Sequence, residues 1–326
     1  MQPLKFKEIT KSPLWAGQDI VALKHYPVGT PAVGESWEIS GVRGDETRVV
    51  GGPYDGKTLP ELIAMLGADL VGRRNLERYG TDFPLLVKFI SAAGDLSIQV
   101  HPDDALAQAL EGKRFGKTEM WYIVKAAEGA TLYSGFKHDL TLEAYDAVMA
   151  EGRLTEVMAR HETHAGDCYF IPAGQIHSIG AGNLLIEVQQ TSDITYRVYD
   201  FDRVGADGRK RQLHTEQARK ALNFKAKKEY RTAYDDRENV RILLEQHPEF
   251  TTSVYHLTAP LTTDFSTTDS FVIFVAYEGT ARLRDDEGNV VVLRAGESVL
   301  YPATMRSVTF EPVGTERFSC IETFVD

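Results

Sequence analysis

His164-Ala-Gly-Asp-Cys-Tyr-Phe-Ile-Pro-Ala173 lines up with Arg294-Ala-Gly-Glu-Ser-Val-Leu-Tyr-Pro-Ala303, sharing Ala-Gly-acid and Pro-Ala at an offset of 130 residues. After one deletion, His177-Ser178 falls opposite Arg306-Ser307. The same turn-strand-turn unit occurs twice, as expected of two related β-barrel halves. The second copy carries arginine where the first carries histidine. A metal held at His177 would therefore have no counterpart at Arg306, because a guanidinium offers no lone pair to a cation.

The surrounding sequence supports a mainly β chain. Leu96-Ser-Ile-Gln-Val-His101 alternates, which predicts Leu96, Ile98 and Val100 on one face and Ser97, Gln99 and His101 on the other. Met120–Val124, Cys168–Ile171, Leu184–Val188 and Phe271–Val275 read as further strands, with Asp285–Asn289 as a hairpin turn. Helical spacing is confined to Leu59–Leu66, Asp103–Leu110 and Leu140–Arg160, the last broken near Gly152. The predicted architecture is sandwich-type β in two related barrel halves, with a helical insertion around 139–160 and extra helix near 59–78. The predicted division is 1–238 and 239–326.

The 326 residues are 43% hydrophobic and 25% charged, ordinary globular composition with enough apolar material for a sizeable core. With 47 acidic against 36 basic residues the formal charge is −11, which argues against nucleic acid or an anionic membrane as a partner. A local basic pocket is compatible with it. Cys168 and Cys320 are too few for a disulfide framework and fit a reducing compartment. The charged start, Met1-Gln-Pro-Leu-Lys-Phe-Lys-Glu8, lacks a signal-peptide apolar run, and the uncharged stretch from Cys168 to Ile186 is broken by Pro172 and Gly174. The expectation is a cytoplasmic protein without a membrane span, its number of copies left open.

Gly166-x5-Pro172-x-Gly174-x2-His177 resembles the second signature of the cupin superfamily, with Ala181 where that signature ends in Asn. The fold this implies is a bicupin-like pair of double-stranded β-helix barrels. Gly and Pro shape a tight turn at a barrel rim, so that the next strand begins by pointing His177 inward. Leu96-Ser-Ile-Gln-Val-His-Pro102, Lys117-Thr-Glu-Met-Trp121, Pro172–His177 and Tyr196-Arg-Val-Tyr-Asp200, in that order, resemble type I mannose-6-phosphate isomerases of the short bacterial form. The likeness runs from Trp15 to about Arg203 and extends more weakly into the second barrel. Trp15-Ala16-Gly17 departs from the Trp-Gly-Gly of many relatives.

The resemblance implies a metal held by Gln99, His101, Glu119 and His177. This mixed N/O set suits catalytic Zn²⁺ and would accept Mn²⁺ or Co²⁺. It also implies Arg197, Lys117 and Glu187 as catalytic residues, and Ser97, Lys88 and Arg203 around the substrate and its phosphate. The implied partner is a small sugar phosphate, whose nearly two negative charges need a cationic cluster. The implied reaction is aldose-ketose isomerisation of mannose 6-phosphate and fructose 6-phosphate through an enediol. Lys117, Glu187 and a metal-bound water are alternative acid/base groups. Arg197 would stabilise negative charge developing on the enediol oxygens.

Plainer readings stand beside these. His101 precedes a helix capped by Asp103, Glu119 fits an exposed strand start, and Arg197 could simply pair with Asp193 or Asp200. Glu187, between Ile186 and Val188, must face solvent or a polar cavity. Trp121 shares the face of Glu119 and would pack beside the ligand shell. His138, His161, His164, His214, His247 and His256 read as surface or loop residues, and Arg209-Lys-Arg211 as a solvated loop near the pocket rim. Two rival functions use the same fold: a non-haem iron oxygenase with two histidines and a carboxylate, and a non-catalytic sugar-binding cupin.

Overall fold

The computed structural model describes residues 1–205 and 208–326. In the N-terminal half, one sheet has the order β10-β7-β12-β5-β3-β2. Its strands are β10 (Cys168–Ile171), β7 (Glu119–Ala126), β12 (Asn183–Gln190), β5 (Leu85–Ala92), β3 (Glu35–Ser40) and β2 (Ile9–Lys11). Facing it is the sheet β13-β6-β11-β8-β9, made of β13 (Tyr196–Tyr199), β6 (Ile98–Val100), β11 (His177–Ile179), β8 (Thr131–Phe136) and β9 (Met158–Glu162).

The C-terminal half repeats this plan. The sheet β14-β15-β22-β17-β20 comprises β14 (Arg241–His247), β15 (Phe250–Leu257), β22 (Phe318–Phe324), β17 (Val272–Glu278) and β20 (Ser298–Tyr301). Its opposite sheet is β16-β21-β18-β19, with β16 (Leu261–Asp264), β21 (Ser307–Pro312), β18 (Thr280–Asp285) and β19 (Val290–Arg294). Strands β15 to β22 pair among themselves as β5 to β12 do, and a short ribbon of β1 (Phe6–Lys7) and β4 (Arg48–Val49) completes the sheets. The duplicated segment accordingly forms β10 in one half and β20 in the other. The turns before them have left-handed glycines at Gly166 (φ 91°) and Gly296 (φ 84°), a conformation that disfavours a side chain.

Period-2 alternation sorts the side chains of each half. In β5, Leu85, Val87 and Phe89 point out of the barrel, and Lys88 and Ile90 point in. Leu184, Ile186 and Val188 of β12 and Met120 and Tyr122 of β7 join that outer layer. Phe250, Val254, Ile273, Val275 and Ile321 of the other half meet them in the same core. The two barrels are thus packed back to back, and the strands between them are buried on both faces. This is why Leu85–Ala92 reads as a nearly continuous apolar run.

The helices largely match expectation. α2 (Leu59–Leu66) opens with a capping box at Thr58 and Glu61, and is followed by α3 (Ala68–Val71) and α4 (Arg73–Tyr79), separated by Gly67 and Gly72. Asp103 caps α5 (Asp104–Glu111). The insertion is α6 (Leu142–Ala150) and α7 (Leu154–Val157), but its expected extent to Arg160 is too long: Met158 begins β9, pairing with β8. α1 (Asp19–Leu23) and α8 (Thr215–Ala221) have too few residues to show a helical period in the sequence. Leu96 also differs from expectation. It precedes β6, so the strand alternation does not govern it, and it packs inside the barrel with Trp15 and Trp121 while Ile98 and Val100 face outward. No helix among the described residues is long and apolar enough to cross a membrane.

Candidate active site

Strand β6 alternates across its sheet and directs Gln99 inward, with His101 just beyond the strand end. His177 opens β11 directly opposite Gln99, and Arg197 of β13 lies opposite Gln99 on the other side. Glu119 starts β7, where it pairs with Ile171 and Gln189. Glu187 on β12 is held between Lys88 and Trp121 in register. Five separated strands thus bring these side chains to one end of the N-terminal barrel.

His101, Glu119 and His177 are fully buried, and among the described residues they are the one cluster of three His, Cys, Asp or Glu donors placed to share an ion. His101 Nδ1 lies 2.7 Å from the Ile194 carbonyl oxygen, and His177 Nδ1 lies 2.8 Å from that of Gln175. A carbonyl oxygen only accepts, so Nδ1 carries the proton in both rings and both Nε2 lone pairs face inward. The two Nε2 atoms are 3.1 Å apart, and Glu119 Oε1 sits 3.1 Å from one and 3.4 Å from the other. Oε1 has no hydrogen-bond partner among the described residues. Three buried electron-pair donors therefore converge with no hydrogen of their own between them, the Lys117 ammonium standing 3.2 Å from His101 Nε2, and a divalent cation satisfies the same lone pairs.

The charges around the triad agree. Burial, reinforced by the Lys117 ammonium, pushes the His101 imidazole down to about 3, so it stays neutral. Burial opposes ionisation of Glu119, but the Lys117 ammonium beside it outweighs this and holds the carboxyl well below its ordinary range.

Next to the triad, bordered by its neighbours Gln99 and Lys117, lies a cavity of about 170 Å³. Its wall includes Ser97, Gln99, Lys88, Lys117, Glu187 and Arg197, all anticipated from the sequence. Lys117 Nζ donates to Glu119 Oε2 at 2.6 Å and lies 3.4 Å from Glu187 Oε1. Lys88 is 2.9 Å from Glu187, and Trp121 Nε1 donates to the other carboxylate oxygen at 2.8 Å. Glu187 therefore faces the polar cavity. Trp121 also meets the His177 ring edge-on at 5.3 Å, as its position two residues after Glu119 suggested. Arg197 pairs with neither Asp193 nor Asp200. Its Nη1 donates to the Gln212 carbonyl at 2.8 Å, and its buried Nε lacks a partner among the described residues.

Arg203 is different. It lies off the cavity wall, its guanidinium engaged by Asp200 and the Asp95 carbonyl. The wall instead contains Arg211, expected as a solvated rim residue, and Glu35, which the sequence reading passed over. Glu35 accepts from Trp37 Nε1 at 2.7 Å and lies 3.4 Å from Lys88 Nζ. The alternation of Glu35 and Trp37 ahead of Lys88 was the available signal for it. Arg211 follows a loop and carried none. His256, expected at the surface, is buried on β15 with Nδ1 3.1 Å from Ser319 Oγ.

Residues 13–129 match the family profile described as phosphomannose isomerase type I, catalytic domain. The chain is 30% identical over 303 residues to mannose-6-phosphate isomerase ManA of Bacillus subtilis, covering 92% of this chain and 93% of that one. This chain belongs to the type I mannose-6-phosphate isomerase family. Within that family, the enzyme of Streptococcus mutans is 31% identical over 315 residues, covering 95% of both chains. The crystal structure of the mannose 6-phosphate isomerase from Bacillus subtilis superposes with a TM-score of 0.87 at 28% identity, covering 99% of each chain. The shared architecture is the mainly β cupin fold of the isomerase family.

Proposed function

We propose that this chain interconverts mannose 6-phosphate and fructose 6-phosphate with one divalent metal, Zn²⁺ in preference to Mn²⁺ or Co²⁺, held by His101, Glu119 and His177 with Gln99 as fourth ligand. The observation that carries this is the convergence of two inward Nε2 lone pairs on the unpartnered Glu119 Oε1. When bound, the metal supplies Lewis-acid polarisation and orientation of the sugar oxygens.

The protein's own groups perform the proton movements. Isomerisation takes a proton from the carbon next to the carbonyl and returns it to the former carbonyl carbon, while the hydroxyl proton on the first of these carbons passes to the carbonyl oxygen. Lys117 and Glu187, 3.4 Å apart, form the acid/base pair on the cavity wall. The donors Trp121 and Lys88 hold the Glu187 carboxylate in place. Arg197, with an unspent Nε–H, stabilises negative charge on the enediol oxygens. Ser97 and Lys88 on the wall, and Arg203 behind it, serve the phosphate end.

Residues 1–238 form the catalytic unit and 239–326 a metal-free partner, in a cytoplasmic enzyme. The test is a coupled assay of mannose 6-phosphate turnover after chelation and re-addition of single metals. The expected result is loss on chelation, recovery with Zn²⁺, and indifference to removal of oxygen. Substrate binding by metal-loaded protein without fructose 6-phosphate formation would overturn the reading.

A further inference from the structure

Two guanidinium groups clasp one carboxylate near the cavity, and a third stands nearby. Asp200 is buried at 5% exposure and accepts from Arg211 through Nε at 2.8 Å and through Nη2, and from Arg203 through Nη2. Arg197 stands close enough that, after burial, the Arg211 and Arg203 charges lower its own pKa. Three cations against one anion leave two positive charges uncompensated within this group. In a protein of net charge −11, such a concentration marks a place built for an anion.

The two outer arginines are not equivalent. Each of the three nitrogens of Arg203 already donates: Nε to the Asp200 carbonyl at 3.2 Å, Nη1 to the Asp95 carbonyl, and Nη2 to the Asp200 carboxylate. Arg211 uses only Nε and Nη2, in a fork on the Asp200 carboxylate. That fork fixes the guanidinium plane and leaves Nη1 without a hydrogen-bond partner among the described residues. The side chain is 28% exposed and forms the cavity wall together with Arg197, Ser97 and Thr195.

We propose that Arg211, aimed by Asp200, is the arginine that grips the phosphate of the sugar substrate, and that Arg203 is a positioning residue acting through Asp200. The assignment rests on the isomerase reading above. It places the phosphate at the Arg211 edge of the cavity, with Arg197 between it and the metal triad.

Steady-state kinetics of the metal-loaded full chain test this. Arg211→Ala is expected to raise KM for mannose 6-phosphate roughly thirtyfold, with kcat within about threefold of wild type. Competitive inhibition by inorganic phosphate should weaken in parallel. Arg211→Lys, which keeps the charge but not the fork, should fall between. Arg203→Ala should raise KM less than Arg211→Ala, and Arg203→Lys, which still neutralises Asp200, should restore it. Unchanged KM and phosphate inhibition in Arg211→Ala, or a larger KM rise in Arg203→Ala, would overturn the assignment. If the wild-type chain turns over no mannose 6-phosphate with any divalent metal, the isomerase reading itself fails. Calorimetric titration with fructose 6-phosphate then decides on Arg211 separately: a thirtyfold weaker affinity in Arg211→Ala retains it, and equal affinities or no wild-type binding remove it.

Discussion

The two barrels share one strand plan and differ in what fills the same end. In the N-terminal barrel Gln99 faces His177 in register, while in the C-terminal barrel Phe265 takes the place opposite Arg306, its amide donating to the Arg306 carbonyl at 2.7 Å. Glu119, paired with Ile171 before Pro172, is answered by Val272, paired with Tyr301 before Pro302. Phe265, Phe274, Tyr301 and Phe310 pack the second interior in edge-on ring contacts. Arg306 turns outward to the Ser266 carbonyl.

One feature persists in both. Glu187 pairs with Trp121 in register, and Glu322 pairs with Phe274 at the matching place. Each is a buried carboxylate with a cation: Lys88 for Glu187, and for Glu322 the Arg241 guanidinium, which lies between the Phe265 and Phe324 rings. In the first barrel the carboxylate looks into an open cavity, and in the second it is sealed under an arginine and two phenyl rings. The same backbone thus encloses an open polar cavity or a plugged core, according to whether the inward positions carry polar or aromatic residues.

The strongest test of this contrast is His177→Ala. Removing one of three buried donors should abolish metal retention, read by elemental analysis, and lower turnover by about a thousandfold or more. The reverse change, Arg306→His, should recruit no metal to the second barrel, because Val272 and Phe265 still offer no donor beside it. Zinc bound at a second equivalent would break the contrast.

Next in size is Arg197→Ala, expected to keep the metal and lower kcat about a hundredfold, since it removes a cation facing developing charge but no ligand. Normal turnover would remove it from the mechanism.

Arg241→Ala probes the plug. It strands the Glu322 carboxylate in the core and should cost roughly 3–5 kcal/mol in urea denaturation. Burial already raises the Glu322 pKa above the ordinary carboxylate value despite Arg241. A raised folded pKa means that stability is greatest below the unfolded value and falls as pH climbs through the folded one. The loss in Arg241→Ala should therefore be larger at pH 8 than at pH 5, and a pH-independent loss would contradict the buried-charge account.

The smallest effect is expected from Trp121→Phe. It deletes one neutral donor to Glu187 while leaving Lys88, and should lower kcat by about fivefold. No change would show that Lys88 alone orients the carboxylate.

Much of this was legible in the chain because the signals are local. The Ala-Gly-acid repeat located β10 and β20, and alternation placed Gln99 and His101 inward and Ile98 and Val100 outward. Leu96 escaped because it lies before the strand that imposes the period. The final residues of the 140–160 segment keep helical composition yet pair as β9, a case of a sheet neighbour overriding local preference. His256 was misplaced because a single histidine carries no period of its own, and its burial beside Ser319 and Tyr277 follows from strand register.

The sequence by itself determined the duplicated β architecture, the family and the donor types gathered on β6, β7 and β11, since spacing and strand period act over a few residues. Tertiary structure alone decided that Arg211 and not Arg203 borders the cavity, that Glu35 joins Lys88, and that Arg241 seals the second barrel. Those contacts join residues dozens of positions apart. Cross-strand register and loop packing set them, and no local pattern encodes either.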